Sequence, residues 1–338
     1  MRNDPIQDLF GQKLGDPSPP PLILAPMAGV TDAPFRIQAR RYGADLTVSE
    51  MLASQALIRS ATKSRRMTQG LDESAPLAVQ IAGDDPGVMA EAARLAVDRG
   101  AAWIDINMGC PVKKIVNNHA GCALMRDEVL VGRIVSALVQ AVPVPVSVKI
   151  RLGWDESQRN APQVARIAQD AGARLVTVHG RTRAQMYRGR ADWSMIGEVV
   201  AAVSVPVVAN GDIVDGASAR QALAASGARG LMIGRGALGR PWVFRQVRAA
   251  LAGLPEPAEP SREEQHQVVR EQFDAMVAFY GPAIANRQAR KHLAWYARGH
   301  ADAARYRDGI NRCGDVAATR ALMDAFYGCA AKGAGGES

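Results

Sequence analysis

The chain has 338 residues, 48% of them hydrophobic and 22% charged, and no run of about eighteen apolar residues predicts a membrane span. Its four cysteines form no C-x-x-C pair, which argues against a zinc site or a disulfide framework and fits a reducing cytoplasm. The formal net charge of +8 suits a polyanionic partner, although charge alone does not identify one. No apolar segment follows Arg2, so we expect a cytoplasmic protein without a secretory signal or a membrane anchor.

Short β-branched runs alternate with Ala- and Arg-rich, helix-like stretches over the first 250 residues. After an extended lead-in over 1–20, the predicted strands cover 22–25, 46–49, 77–81, 103–106, 146–150, 175–178, 207–209 and 230–233. Eight strands alternating with helices predict an α/β fold, a (β/α)8 TIM barrel over 21–254. A doubly wound open sheet is the alternative, and the absence of G-x-G-x-x-G after the first strand disfavours it.

The pattern changes after the predicted barrel. Three prolines within 255–260 predict a semi-rigid linker. Ser261 and Glu264 then form a capping box, which predicts the start of a small C-terminal helical domain over 261–329. We expect residues 330–338 to be a frayed tail.

The stretch Asn107-Met108-Gly109-Cys110-Pro111 places a cysteine on a tight turn after the fourth predicted strand. Glycine permits positive φ and proline fixes φ, so the backbone around the thiol is constrained. Functional side chains of barrels lie at the carboxyl ends of strands, which makes Cys110 a candidate catalytic residue. A small buried hydrophobe is the alternative for Cys110, and it is our interpretation of Cys122.

Glycine-containing loops follow the last two predicted strands, Asn210-Gly211-Asp212 and Gly234-Arg235-Gly236. These are the positions where barrels bind phosphate, so the pair predicts a phosphate-bearing cofactor; ordinary turns are the alternative. Lys149 ends the fifth strand and would serve either as a Schiff-base nucleophile or as a fixed positive charge beside a cofactor ring. His179 would hydrogen-bond a cofactor or be a satisfied buried histidine.

Taken in order, these motifs resemble the tRNA-dihydrouridine synthases, most closely the bacterial DusB subfamily, from about residue 20 to about residue 325. In the barrel the resemblance is carried by Ala25-Pro26-Met27-Ala28-Gly29-Val30-Thr31-Asp32, Asn107-Met108-Gly109-Cys110-Pro111, Lys149-Ile150-Arg151, His179-Gly180-Arg181-Thr182-Arg183, Asn210-Gly211-Asp212 and Met232-Ile233-Gly234-Arg235. In the C-terminal part it is carried by Phe279-Tyr280-Gly281-Pro282 and Ala289-Arg290-Lys291-His292. The departures are a longer Pro-rich N-terminus and Cys122, where the family usually has a small residue.

The resemblance implies an FMN enzyme that takes electrons from NADPH and reduces the C5–C6 double bond of uridines in the D-loop of tRNA, with position 17 favoured. It implies that Cys110 protonates C5 while reduced flavin delivers a hydride to C6, and that Asn107 lies near the uracil. The residues that would hold FMN are Pro26, Met27, Ala28, Gln80, Lys149, His179, Asn210, Gly211, Asp212, Gly234 and Arg235. We expect a monomer that binds no metal.

Contacts to tRNA are predicted in four places. Arg287, Arg290, Lys291 and Arg298 recur at offsets that put them on one helical face, with a solvated face as the alternative. Arg181 and Arg183 are assigned to the substrate, and Tyr187 either stacks on the flipped uracil or packs. Arg59, Lys63, Arg65 and Arg66 form a second candidate backbone contact, and Lys113 and Lys114 are expected to face RNA phosphate rather than the thiol.

Two other functions stay open from the sequence. One is a flavin-dependent dehydrogenase of a small pyrimidine, of the dihydroorotate or dihydropyrimidine type, which would act on a free base. The other is a tRNA-binding factor without catalysis, against which an intact Cys110 argues.

Overall fold

The computed structural model describes residues 5–11, 19–59 and 77–328, and its centre is a closed barrel of eight parallel strands. The strands are β1 (Leu22–Leu24), β2 (Leu46–Val48), β3 (Leu52–Ala53), β4 (Leu77–Ala82), β5 (Trp103–Met108), β6 (Val146–Arg151), β7 (Leu175–His179), β8 (Val207–Asn210) and β9 (Gly230–Ile233). The barrel closes because β2 pairs with β4 and β1 pairs with β9, while the two-residue β3 adds only to β4. The predicted (β/α)8 barrel is confirmed.

The helices surround the barrel and continue beyond it. They are α1 (Pro5–Phe10), α2 (Ala33–Arg41), α3 (Ser54–Arg59), α4 (Pro86–Asp98), α5 (Lys113–Val116), α6 (Glu128–Ala141), α7 (Ala161–Asp170), α8 (Ser194–Ala202), α9 (Gly216–Ser226), α10 (Val243–Leu251), α11 (Arg262–Tyr280), α12 (Pro282–Tyr296), α13 (Ala303–Arg312) and α14 (Val316–Tyr327), with 3-10 turns at Gly121–Arg126 and Arg235–Ala237. Apolar side chains between the strands and the outer helices form the largest core.

The register of the strands sets polar residues opposite one another near the carboxyl ends of the strands. Asn107 is opposite Lys149, and His179 is opposite both Arg151 and Asn210. Successive side chains of a strand point to opposite faces, so residues two apart share a face. The carboxyl rim of the barrel therefore carries polar side chains from neighbouring strands.

The bottom of the barrel is filled by a helix that the sequence analysis described only as a lead-in. Ile6 and Phe10 of α1 are buried with Ile23, Trp103 and Met232 of the strands. A side chain at Gly230 would lie 3.0 Å from the Phe10 ring, so the glycine makes room for α1. Among the described residues, α1 therefore covers the end of the barrel opposite the carboxyl rim.

The C-terminal helices pack on the barrel. Ser261 and Glu264 form the predicted capping box at the start of α11. In the predicted linker, Glu259 accepts hydrogen bonds from Trp242 Nε1 (2.6 Å) and from Arg240, which dock this segment on the barrel. Trp242 is buried in the same cluster as Tyr296 of α12, so the barrel and the helices share a core.

In the described ranges, no helix is long and apolar enough to cross a membrane. The same ranges hold no group of three histidine, cysteine, aspartate or glutamate side chains that could bind a metal ion. The predicted tail over 330–338 lies outside the described residues.

Candidate active site

A cavity of about 710 Å³ opens at the carboxyl ends of the strands, a size typical of cofactor and substrate sites. Every residue predicted to hold the cofactor lines it, together with Asn107, Cys110, Tyr187 and Arg298. The cofactor set is Pro26, Met27, Ala28, Gln80, Lys149, His179, Asn210, Gly211, Asp212, Gly234 and Arg235. Residues that are up to about 200 positions apart in sequence therefore form one site, while their contacts with a cofactor stay a prediction.

The loops after β8 and β9 form part of the cavity lining. Gly211 has φ 116°, and a Cβ there would lie 2.8 Å from the Ala191 Cβ, so only glycine fits. Within the described part of the chain, the N–H groups of Gly234 and Arg235 donate to no acceptor. Free N–H groups beside an arginine side chain are the chemistry that holds phosphate.

Lys149 supplies a positive charge to the cavity lining. Its Nζ donates to Asn210 Oδ1 at 3.0 Å, and Asn210 Nδ2 donates to the Met232 carbonyl at 2.8 Å. Burial, and secondarily the nearby Arg151, lowers the pKa of Lys149 to about 8. The ammonium is therefore still charged near neutral pH and is held in one direction.

His179 is neutral in this setting. Burial lowers its pKa well below the ordinary value, and the cations Arg151, Lys149 and Arg181 act in the same direction. Arg181 Nη1 lies 3.3 Å from His179 Nε2, and because a guanidinium can only donate, Nε2 must accept. The ring proton is then on Nδ1, which makes His179 a hydrogen-bond donor from that atom.

Arg181 lies behind the cavity, which differs from its predicted contact with substrate. Its side chain is 1% exposed and donates to the Gly189 carbonyl (2.7 Å), the Arg188 carbonyl (3.0 Å) and Asp212 Oδ2 (2.5 Å). Burial opposes ionisation of Asp212, but the bonds from Arg181 and from the Ala191 N–H outweigh it and lower the pKa. Arg181 and Asp212 thus shape the loops after β7 and β8.

The turn that carries Cys110 is held from several sides. Asn107 Oδ1 accepts from the N–H groups of Gly109 (3.2 Å) and Cys110 (3.0 Å). The Cys110 carbonyl accepts from the Cys122 N–H at 3.1 Å, and a Cβ at Gly121 would lie 2.7 Å from that carbonyl oxygen. The Cys110 thiol is partly exposed, whereas burial raises the pKa of Cys122 to about 12 and keeps it a thiol.

Arg151 is a further residue of the cavity lining, with no role predicted from the sequence. It is 2% exposed, and its guanidinium donates to the carbonyls of Gly109 (2.8 Å), Thr182 (3.0 Å) and Met186 (2.8 Å). It therefore ties the Cys110 turn to the loop that carries Tyr187. The signal was its position two residues after Lys149, on the same face of β6.

Tyr187 stands at the mouth of the cavity between two cations. Its side chain is half exposed, with the guanidinium carbons of Arg235 at 5.1 Å and Arg151 at 5.6 Å from the ring centre. Arg183 lies outside the cavity lining and stacks on Trp154 at 4.5 Å instead.

The predicted basic face of the C-terminal helices is divided in the structure. Arg287 is exposed, but Arg290 is partly buried and donates to the Cys313 carbonyl at 3.3 Å. Arg298 lines the cavity but lies beyond the end of α12, so the expectation of four residues on one helical face is wrong.

Lys113 and Lys114 are exposed on α5. Of the second candidate backbone contact, Arg59 ends α3, and Lys63, Arg65 and Arg66 lie outside the described residues.

The loop after β1 joins the cavity to the C-terminal helices. Tyr280 of α11 donates to Asp32 Oδ2 at 2.9 Å, and Glu50 accepts from the Gly29 N–H. A Cβ placed at Gly29 would lie 3.2 Å from the Lys291 Nζ of α12. Burial raises the pKa of Asp32 to about 6.

Comparison with known proteins shows the family of this chain. The family model for dihydrouridine synthase (Dus) matches residues 23–330. The chain is 51% identical over 309 residues to a probable tRNA-dihydrouridine synthase of Rhodobacter capsulatus, covering 91% of this chain and 95% of that protein. It is 50% identical over 311 residues to tRNA-dihydrouridine synthase B of Xanthomonas axonopodis pv. citri (91% and 94% covered) and 47% identical over 308 residues to that of Pseudomonas putida (90% and 91% covered). The chain therefore belongs to the dihydrouridine synthase family.

Proposed function

We propose that this protein reduces the C5–C6 double bond of a uridine in the D-loop of tRNA, with FMN in the cavity and NADPH as the source of electrons. Position 17 of the D-loop is the favoured site. The observation that carries the proposal is the Cys110 turn, which lines the same cavity as Lys149, His179 and the loops after β8 and β9. The names of the relatives, which are tRNA-dihydrouridine synthases, supply the substrate.

The residues present fit FMN. The free N–H groups of Gly234 and Arg235 suit its phosphate. Lys149 and the Nδ1 donor of His179, both in the cavity lining, would supply a cation and a hydrogen-bond donor to the polar edges of its flat ring. When bound and reduced, this group would supply the hydride for C6 of the uracil.

Cys110 would supply the proton for C5. A proton donor must stay protonated until the hydride arrives, and its backbone must keep the sulfur at one place. The bonds from Asn107, Arg151 and the Cys122 N–H provide that fixed backbone. In this role Lys149 binds and does not form an imine, because its Nζ is engaged with Asn210.

A uridine inside folded tRNA must leave its stack to enter the cavity. Tyr187, half exposed and flanked by Arg235 and Arg151, is suited to stack on an unpaired base. Arg298 at the same mouth is suited to a backbone phosphate.

The test is a reduction assay with purified protein, FMN, NADPH and unmodified tRNA transcript, followed by mapping of dihydrouridine. We expect product in the D-loop and none from free uracil or orotate. No product with tRNA would contradict the proposal, and rapid turnover of a free base would favour a small-pyrimidine dehydrogenase. The purified, refilled protein should also show flavin absorbance, and its absence would remove FMN from the proposal.

A further inference from the structure

Below the cavity, a chain of buried polar side chains runs inside the barrel to the Cys110 turn. It starts at Asp105 of β5, which is 4% exposed. Asp105 Oδ1 accepts from Ser147 Oγ at 2.5 Å, and Oδ2 accepts from Gln80 Nε2 at 2.7 Å. Gln80 Oε1 accepts from Asn107 Nδ2 at 2.7 Å. The chain ends where Asn107 Oδ1 accepts from the N–H groups of Gly109 and Cys110.

The hydrogen bonds in this series all run in one direction, and Asp105 sets that direction. A carboxylate only accepts hydrogen bonds, so Gln80 must turn its amino group to Asp105 and its carbonyl to Asn107. Asn107 must then give its amino group to Gln80, which leaves its carbonyl for the Cys110 turn. Each amide has one donating and one accepting end. Asp105 therefore fixes the orientation of the Gln80 amide, which fixes that of Asn107 and the atom that Asn107 turns to the Cys110 turn.

Trp103 fixes the hydrogen bond that Ser147 makes to the second carboxylate oxygen of Asp105. Its indole N–H can only donate, and it donates to Ser147 Oγ at 2.8 Å. The Ser147 hydroxyl proton is therefore given to Asp105 Oδ1, and one oxygen of residue 105 is always claimed by Ser147. An amide at position 105 would have to give its carbonyl to Ser147 and turn its amino group towards Gln80.

We propose that Asp105 is a positioning residue for the reduction: through Gln80 and Asn107 it orients the carbonyl that holds the Cys110 turn, without touching substrate. The inference deepens the proposed function, because it matters for catalysis only if Cys110 is the proton donor. A second consequence is that Asn107 has one amide N–H left for the cavity, so it offers a donor, and not an acceptor, to a ring bound there.

The test reverses the direction of these hydrogen bonds with one substitution and restores it with a second. Asp105→Asn should turn Gln80 and Asn107 around and bring the Asn107 amino group against the Gly109 and Cys110 N–H groups. Adding Gln80→Glu should restore the direction, because the carboxylate introduced at position 80 can accept from the amino groups at both position 105 and position 107. The readout is the rate at which iodoacetamide alkylates Cys110 in the purified protein, followed by mass spectrometry of the peptide that contains it.

We expect Asp105→Asn to speed alkylation of Cys110 by about fivefold or more, as expected when two hydrogen bonds to the turn are lost. The paired variant should return to within about twofold of the wild-type rate. Ser147→Ala is the matched control: it damages the same buried cluster but leaves the direction from Asp105 to Asn107 intact, so it should keep the wild-type rate. Because Gln80 is a predicted FMN contact, rescue is scored by alkylation and not by turnover.

An unchanged alkylation rate in Asp105→Asn, or a paired variant that stays as fast as the single one, overturns the proposal. If Asp105→Asn alone melts too low to purify, the paired variant should still fold with a restored Tm; failure of both overturns it as well. The alkylation result does not depend on tRNA reduction, so failure of the proposed function would be recognised separately in the dihydrouridine assay.

Discussion

The backbone around Cys110 is bonded on both sides of the sulfur-bearing residue, while the thiol itself is open to the cavity. Such an arrangement suits a group that gives up a proton at a fixed point. We expect Cys110→Ala to lower dihydrouridine formation by about 10²- to 10⁴-fold, the usual contribution of a positioned general acid. The measurement is the single-turnover rate on tRNA, together with flavin absorbance and Tm, which should both stay near wild type.

Cys313→Ala is the matched control, because Cys313 is a partly exposed thiol at the end of α13 and does not line the cavity. It should retain the wild-type rate. A Cys110→Ala enzyme that forms dihydrouridine nearly as fast as wild type would show that the proton comes from another group.

Lys149 gives a second prediction, on pH. Its pKa is lowered to about 8 by burial, so the free protein carries this charge below that pH and loses it above. The Kd for FMN should therefore rise above about pH 8, by at most about tenfold per pH unit, and the rise should be absent in Lys149→Met. Titration of the apoprotein with FMN from pH 7 to 9.5 measures this, with the exposed Lys114→Met as control.

The same pH dependence in Lys149→Met and wild type would mean that another group titrates. If the Kd for FMN no longer rose with pH in Lys114→Met, the pH dependence would come from the net charge of the protein and not from Lys149.

At the scale of elements, α2 begins at Asp32, whose carboxylate accepts from the Phe35 N–H and from Tyr280 of α11. Burial raises its pKa to about 6, so the folded state favours the protonated acid. The stabilisation that this group contributes is full below about pH 4 and is lost as the pH rises through about 6. Asp32→Asn keeps the cap and escapes that loss.

We therefore expect the free energy of unfolding of Asp32→Asn, relative to wild type, to improve as the pH rises from 4 to 7, by up to about 3 kcal/mol. Urea unfolding at several pH values measures it. Asp155→Asn is the control, because a hydrogen bond from the Ser157 side chain lowers the pKa of Asp155, so its difference from wild type should stay nearly constant over this pH range. A flat or falling difference for Asp32→Asn would contradict the prediction.

The elements show what the sequence could and could not predict. Eight strands and the rim residues Lys149, His179 and Asn210 followed from β-branched runs and from the polar residues that end them. The plug formed by α1 was missed, since six residues with a proline at their start carry little periodic signal. β3 was missed for the same reason, being two residues long.

Side-chain environments were harder to predict than elements. Arg181, Arg290 and Arg298 look alike in the sequence, yet the first is buried among carbonyls of its own loop and the last is at the cavity. Whether an arginine is free depends on acceptors that distant segments bring to it. Asp105 was missed because its role depends on Gln80 and Ser147, which only the barrel register places beside it.

At the scale of the whole molecule, the net charge of +8 and the position of the cavity mouth both bear on the proposed binding of tRNA. Arg298 is exposed and lines that mouth, so it is the predicted basic contact that combines both properties. We expect Arg298→Ala to weaken tRNA binding and to reduce the slope of log Kd against log salt by about one, as for one lost phosphate contact. Filter binding across a salt series measures the slope.

Arg94→Ala is the control, since Arg94 is exposed on α4 at the outside of the barrel. Arg94→Ala should change the affinity for tRNA and the slope of log Kd against log salt less than Arg298→Ala does. Equal effects of the two variants would mean that tRNA senses only the total charge.

Closure of the barrel also has to wait for synthesis of its last strand. β1 and β9 are paired through Leu22 with Leu231 and Ile23 with Met232, so the first strand waits for a partner made about 210 residues later. At about 5–20 residues per second, the ribosome needs roughly 10 to 40 seconds to supply it. During that time the nascent chain has an open parallel edge at β1, and the cavity beneath the last two loops cannot yet exist.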